Sequence, residues 1–524
     1  MLPPPDRAKT SAMAQACLPH RATPLPSAAL AATLLLFLSL ASARSQPVST
    51  AEPATLSDGR DAIRRAMESV SNAVARAASD PARPVLHFRP PAQWMNDPNG
   101  LLQHRGWFHL FYQHNPYGDT WGHMHWGHAR TRDLLHWEHL PIALWPSTER
   151  GEEHVFSGSA ALNGNGDPTL LYTSIARDRD AASHAEQWAA FGSDDLLTWR
   201  KHPGNPALAE SLHGERKVYD WRDPYVVHAD GRTFLVCGGN LNQAKGGEAV
   251  VNLYESVSAD FTRWKYRGIL FTHPDPSVRN LECPLLFPLG GTWILIVSPH
   301  RRVEWFSGVF DVGAGRFLPR RHGLLDYSDQ FYAPNAAPDA TDRQILFGWV
   351  RGFPEGRGWN GCLSLPRVLS VAGGVLQQRA LPELEQLRTD RKRLRNQEFD
   401  REFVVPDLRG ETLDIEATFE RGEAASVGLR VLRAPDGSRG VDLRWDGRAL
   451  EVAGASMSLF GDLTGGRVEF RVIVDRSCLE VHAAGQVLTR VVPFHAGETG
   501  VSAIADGRGA RITAFTAWKL KPVW

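Results

Sequence analysis

The chain is poor in cysteine: five in 524 residues (Cys17, Cys237, Cys283, Cys362 and Cys478), far apart and without a Cys-x-x-Cys pair. That excludes a disulfide framework and a structural zinc site, and leaves buried free thiols as the expectation, with room for one opportunistic disulfide. It also lacks a net charge of either sign. Its 58 Lys+Arg balance 58 Asp+Glu, so it carries no electrostatic footprint for nucleic acid or an anionic membrane. Long apolar runs are missing too: Ala28 to Leu40 falls short of the about 20 residues a membrane span needs. From Val85 to Arg379 there is no convincing helical periodicity.

The short apolar run follows Arg21 and ends in Ala41-Ser42-Ala43, a small-x-small cleavage site. Residues 1–43 are therefore expected to be an export signal, with Met13 as an alternative start, and the mature protein to be secreted or periplasmic. An uncleaved anchor is the competing reading. Residues 44–84 read as an Ala-rich linker with one amphipathic helix, Asp61 to Ala78, and Leu381 to Leu387 as a short helical connector within 381–399. From 85 to 380, short β-branched and aromatic runs alternate with Gly, Pro and Asn. From 400 to 524, clean period-2 alternation takes over, as in Leu413, Ile415, Ala417 and Phe419, with an Asp446-Gly447 hairpin turn. This predicts an antiparallel β-sandwich.

Within 85–380 the chain repeats itself. Thr131-Arg132-Asp133-Leu134-Leu135-His136-Trp137 recurs around Asp195 and again around Asp260, the three aspartates lying 62 and 65 residues apart. A period of this size predicts a radial array of β-blades. The 17 tryptophans are expected mostly to fill blade interfaces, although some could stack on sugar rings. Three acidic residues sit in turn-like motifs near the same period: Asp97 in Trp94-Met95-Asn96-Asp97-Pro98-Asn99-Gly100, Asp223 in Trp221-Arg222-Asp223-Pro224, and Glu282 in Leu281-Glu282-Cys283-Pro284. Phe156-Ser157-Gly158-Ser159 occupies the missing beat, and Phe331-Tyr332-Ala333-Pro334-Asn335 follows. Converging on one axis, the carboxyls would form a pair suited to breaking a glycosidic bond with retention. Asn96, Asn99 and backbone donors should keep Asp97 ionised; apolar neighbours and the Asp97 charge should raise the pKa of Glu282; Asp223 beside Arg222 should stay charged and grip substrate hydroxyls.

These motifs, with Asn115-Pro116, Trp121, Trp126-Gly127-His128-Ala129 and Asp475-Arg476-Ser477, resemble glycoside hydrolase family 32, the family of invertases, inulinases and levanases. The resemblance runs from about His87 to the end. It implies a five-bladed β-propeller followed by the sandwich, and retaining, exo-acting hydrolysis of β-fructofuranosides without metal or other cofactor. Asp97 would be the nucleophile, Glu282 the acid/base and Asp223 the transition-state stabiliser. Asn96, Gln113, Trp121, Phe156, Ser157, Arg222 and Trp349 would line the fructosyl pocket. The partner implied is a fructose-containing oligo- or polysaccharide.

Two positions depart from the family pattern: Leu285 and Gln330 stand where acids are common, which bears on acid tuning and leaving-group preference. A fructosyltransferase using the same covalent intermediate, or a non-catalytic sugar-binding propeller, would share these motifs. Cys283 as a thiol nucleophile lacks an activating histidine in the sequence. His123, His125 and His128 read as polar strand positions rather than metal ligands.

Overall fold

The computed structural model describes residues 59–176, 185–242, 246–459 and 466–524, so the export signal expected at 1–43 lies outside the described residues. Residues 56–524 form one compact unit. A helix spans Arg60–Ala78 and buries Ala66, Val70 and Ala77 along one face. Among the described residues no helix is long and apolar enough to cross a membrane.

Among the described residues, five sheets built mainly of antiparallel strands follow. Their innermost strands are Gln93–His104, Glu152–Leu162, Tyr219–Ala229, Glu282–Leu289 and Phe331–Pro338. Because side chains alternate across a strand, each sheet offers one face to each neighbour. Phe234 and Val236 of sheet three pack with Leu286, Leu295 and Phe306 of sheet four. Leu235 and Cys237, one position away, pack with Leu171 and Ala189 of sheet two. Phe111 and Trp126 meet Tyr172 and Trp188 between sheets one and two, Leu285 and Ile296 meet Phe331 and Leu346 between four and five, and Leu110 meets Ile345 and Phe347 between five and one. The sheets thus close on themselves as a propeller does. Closure is staggered along the chain: Gln93 and Trp94 pair in parallel with Trp359 and Asn360, from beyond the second strand of sheet five. Each fully buried aromatic adds on the order of 2–3 kcal/mol.

The repeated Asp turns are built alike. The hydroxyls of Thr131, Ser193 and Ser258 each donate to the aspartate two residues on. Leu134, Leu196 and Phe261 follow at φ near 60°, and the indoles of Trp199 and Trp264 donate to the carbonyls of Leu196 and Phe261.

The C-terminal region is a sandwich of two six-stranded sheets around a core that includes Ile415, Phe419, Trp445 and Phe470. It begins earlier than the expected residue 400. A 3-10 turn over Pro382–Leu387 passes directly into strand Arg388–Phe399, which pairs with Ala510–Leu520. Lying at a sheet edge and rich in Arg, this strand carries no apolar alternation that would mark it in the sequence. Buried polar groups join propeller to sandwich: Arg367 reaches Asp326 at 2.9 Å and Glu480 at 3.2 Å, all three fully buried.

Candidate active site

All five innermost strands carry a β-bulge at a corresponding place, where two residues face one on the next strand: between Met95 and Pro98, Val155 and Gly158, Arg222 and Tyr225, Glu282 and Leu285, and Tyr332 and Asn335. Bulges re-aim side chains, and these turn theirs toward the axis. Asp223, Cys283 and Ala333, the second residue of three bulges, take left-handed φ values of 63°, 46° and 44°, strain of the kind stored at functional sites. The aligned bulges also correct the expected phase. Glu282, Asp223 and Asp97 fall on the first, second and third positions of the repeat, not on one common position. The period brings them to one level, and the one-residue steps aim them at one another.

The result is a cavity of about 350 Å³ at one end of the axis, lined by all ten residues singled out in the sequence: Asn96, Asp97, Gln113, Trp121, Phe156, Ser157, Arg222, Asp223, Glu282 and Trp349. His300, Tyr332 and Arg351 complete the wall. Ser157 Oγ donates to Asp97 Oδ2 at 2.6 Å and Asn96 Nδ2 to Oδ1 at 3.0 Å. Gln113 Nε2 donates to Ser157 Oγ at 3.1 Å, and the Trp94 indole to Asn96 Oδ1 at 2.8 Å, which fixes both donors. The Cys283 backbone N–H donates to Asp223 Oδ2 at 2.9 Å, while its thiol lies 3.6 Å from Asp223 Oδ2 and 3.7 Å from Asp97 Oδ2. Glu282 is gripped on both oxygens, by Arg222 Nη2 at 2.5 Å on Oε1 and by the Tyr332 hydroxyl at 2.6 Å on Oε2. Trp121 is half exposed at the rim, edge-on to Phe156. The Trp349 indole N–H is buried and has no hydrogen-bond acceptor among the described residues.

The pKa directions of Asp97 and Glu282 run opposite to the sequence expectation. Burial raises the Asp97 carboxyl above its ordinary range despite Ser157 and Asn96. Burial pushes Asp223 up to about 7, with Arg222 opposing and Glu282 and Asp97 adding to it. Glu282 is lowered, because Arg222, His300 and Tyr332 outweigh its burial. The apolar neighbours in its sequence point elsewhere, and Arg222 comes from another sheet, so local sequence misjudged its surroundings. The two departures stand outside the cavity wall. Leu285 is buried in the core between sheets four and five, and Gln330 Oε1 accepts the backbone N–H of Val491 from the sandwich at 2.8 Å. Tyr332 lies in a motif legible as the fifth beat; His300 and Arg351 lie in segments with no such mark. His128 stacks on Phe111 with ring centroids 4.1 Å apart, a buried packing position.

Carboxyls converging in one cavity are the kind of apparatus with which a glycoside hydrolase works. Glycosyl hydrolases family 32 matches the chain with its N-terminal domain over residues 87–380 and its C-terminal domain over 383–519. The chain belongs to this family and is an enzyme acting as a β-fructofuranosidase. It is 30% identical over 497 residues to a levanase of Bacillus subtilis (strain 168), covering 84% of this chain and 71% of that one. It is 31% identical over 484 residues to a sucrose-6-phosphate hydrolase of Klebsiella pneumoniae, covering 87% and 97%. Among solved structures, a β-fructofuranosidase of Bombyx mori has a TM-score of 0.75 at 28% identity, covering 88% of this chain and 99% of that one. A mutant of that enzyme was solved in complex with sucrose.

Proposed function

We propose that the protein is an exo-acting, retaining β-fructosidase that releases terminal β-D-fructofuranosyl units from fructans (levan, inulin) or sucrose-type oligosaccharides, on a five-bladed propeller and outside the cytoplasm. The observation that carries the reading is the cavity whose wall brings Asp97, Asp223 and Glu282 together. Asp97 attacks the anomeric carbon, and Glu282 protonates the departing oxygen, then activates water to hydrolyse the fructosyl-enzyme. Asp223 holds the sugar hydroxyls. Gln113, Phe156 and Ser157 bound the pocket on one side and Trp349 on another, which supports terminal rather than mid-chain cleavage.

The three carboxyls titrate as a unit. With Asp223 near 7, the cluster keeps one proton up to neutrality. Arg222 and Tyr332 favour the ionised form of Glu282. A fructosyl ring whose hydroxyls engage Arg222 and Asp223 loosens that grip, so the shared proton moves to Glu282. The expected kcat/KM profile is a bell. It falls as pH rises through about 7, when the last proton leaves, and falls on the acid side as Asp97 protonates, above the ordinary Asp value of about 3.9 because burial raises it. A profile still climbing beyond pH 8 contradicts this proton assignment.

Chromatography of sucrose, inulin, levan and short oligosaccharide digests tests the substrate class: free fructose must be the first product. Transfer products at high substrate concentration would instead favour a fructosyltransferase. NMR of fresh hydrolysis must show the released sugar first with the anomeric configuration of the substrate; inversion rules out the covalent route.

A further inference from the structure

Three side chains face the Glu282 carboxylate: Arg222, Tyr332 and His300, whose Nε2 stands 3.5 Å from Oε2. His300 follows the second strand of sheet four, Thr292–Ser298, and takes a left-handed φ of 57°. Its backbone N–H donates to the Tyr332 hydroxyl at 3.0 Å. Left-handed backbone is uncommon for a residue other than glycine, and the bond to Tyr332 directs the imidazole to the same oxygen that Tyr332 serves. The three partners differ in one respect. Arg222 is raised above its already high ordinary value by Glu282 and Asp223 despite burial, and burial with Glu282 holds the Tyr332 phenol well above its own. Neither changes charge near neutrality. Imidazole is the side-chain type that can exchange a proton near neutrality, and the His300 side chain is 56% exposed.

We propose that His300 is a positioning residue that sets the pH at which Glu282 holds its proton. As imidazolium it presents a second positive charge to the carboxylate and keeps it ionised. As neutral imidazole it withdraws that charge and offers Nε2 as acceptor to the protonated carboxyl. The proposal rests on Glu282 being the acid. The other ionisable groups around the imidazole are Tyr332 and Arg351 from sheet five and the chain after it, Arg222 from sheet three, and Asp97 and Asp223 across the cavity. On its own loop lie Arg302 and Arg301, the latter held by Asp275 and Glu304. Consistent with the geometry, burial favours the neutral form of Glu282, and the Arg222 and His300 charges are the next two influences, both lowering it.

The test is a charge scan: His300→Gln, neutral at every pH, and His300→Lys, charged throughout. Each is compared on sucrose and on an aryl β-fructofuranoside whose leaving group needs little protonation. On sucrose, His300→Gln should raise the ratio of kcat/KM at about pH 5 to that at about pH 7.5 by roughly three- to tenfold over wild type, since a pKa change of one unit is tenfold. His300→Lys should lower kcat/KM at about pH 7.5 by a similar factor. On the aryl substrate the ratio between the two variants should stay near one across the range. Gln and Lys variants moving together on sucrose, or splitting equally on both substrates, would mean that His300 packs or binds sugar, and would overturn the proposal. Glu282→Gln run alongside separates the underlying reading: equal losses of kcat/KM on both substrates would remove Glu282 as the acid, and His300's role with it.

Discussion

Asp97→Asn should abolish turnover on sucrose and fructans, by at least about 10⁴-fold, or roughly 5 kcal/mol of transition-state stabilisation, while leaving the folded protein as stable as wild type or more so. The first half follows from chemistry: an amide cannot form the ester bond that stores the fructosyl group. The second follows from burial, which raises the Asp97 carboxyl. A raised carboxyl means that the ionised side chain weakens the fold at pH above its ordinary value. Asparagine removes that charge and fills the same space. Ser157 can turn its hydroxyl, since Gln113 already donates to its oxygen, and Asn96 keeps an acceptor. Kinetics and thermal unfolding on one preparation decide the matter. A near-normal rate would remove Asp97 as nucleophile, and a collapsed melting temperature would show it to be a structural acceptor instead. Glu282→Gln should behave differently: kcat/KM, which runs only as far as the fructosyl-enzyme, should fall roughly 10²–10⁴-fold on sucrose and far less on an aryl fructoside, while kcat falls on both because the attacking water loses its base.

The opposite directions of Asp97 and Glu282 mark the limit of what the sequence conveys. Which residues meet was legible, because a period of about 60 with Gly and Pro at fixed offsets places each motif at the same point of successive sheets. The Ser/Thr-x-Asp turns were legible for the same reason: Thr131, Ser193 and Ser258 make their bonds within a few residues. Charge state was not legible, because it is decided across the axis. Glu282 is surrounded in sequence by Leu281, Leu285 and Phe287, yet its oxygens face Arg222, Tyr332 and His300, brought from two other sheets and a loop. The sandwich edge Arg388–Phe399 was missed for a related reason. Its pairing with Ala510–Leu520 rests on backbone bonds, which leave no mark on side-chain patterning.

The motif Asp475-Arg476-Ser477 carries the second large effect, on stability. Asp475 is fully buried and accepts the backbone N–H groups of Val85, Leu86 and His87 at 2.8, 2.7 and 3.0 Å, and His87 Nδ1 at 2.8 Å. Ser477 Oγ donates to the Ala82 carbonyl and Arg476 to that of Arg83. One tripeptide of the sandwich thus latches the segment that enters the first propeller strand. Asp475→Ala would leave the three backbone donors buried without acceptors and His87 with Glu480, 3.4 Å from its Nε2, as its remaining counter-ion, at a cost of about 3–5 kcal/mol. Asp475→Asn, which keeps an acceptor but not the charge, should cost less. The pH dependence has a sign. The Asp475 carboxyl is held below its ordinary range: burial opposes this, but His87 and the backbone donors outweigh it. Its contribution is therefore present above about pH 4 and lost as pH falls through the folded value. Thermal unfolding should show Asp475→Ala losing most at neutral pH and converging on wild type in acid. Limited proteolysis at neutral pH should cut the variant first between residues 79 and 92. The site sits on the bulges around the propeller axis, so kcat of the folded variant should stay near wild type. A variant as stable as wild type, or one that loses kcat in proportion to its stability, would show that the latch is redundant or that it shapes the site.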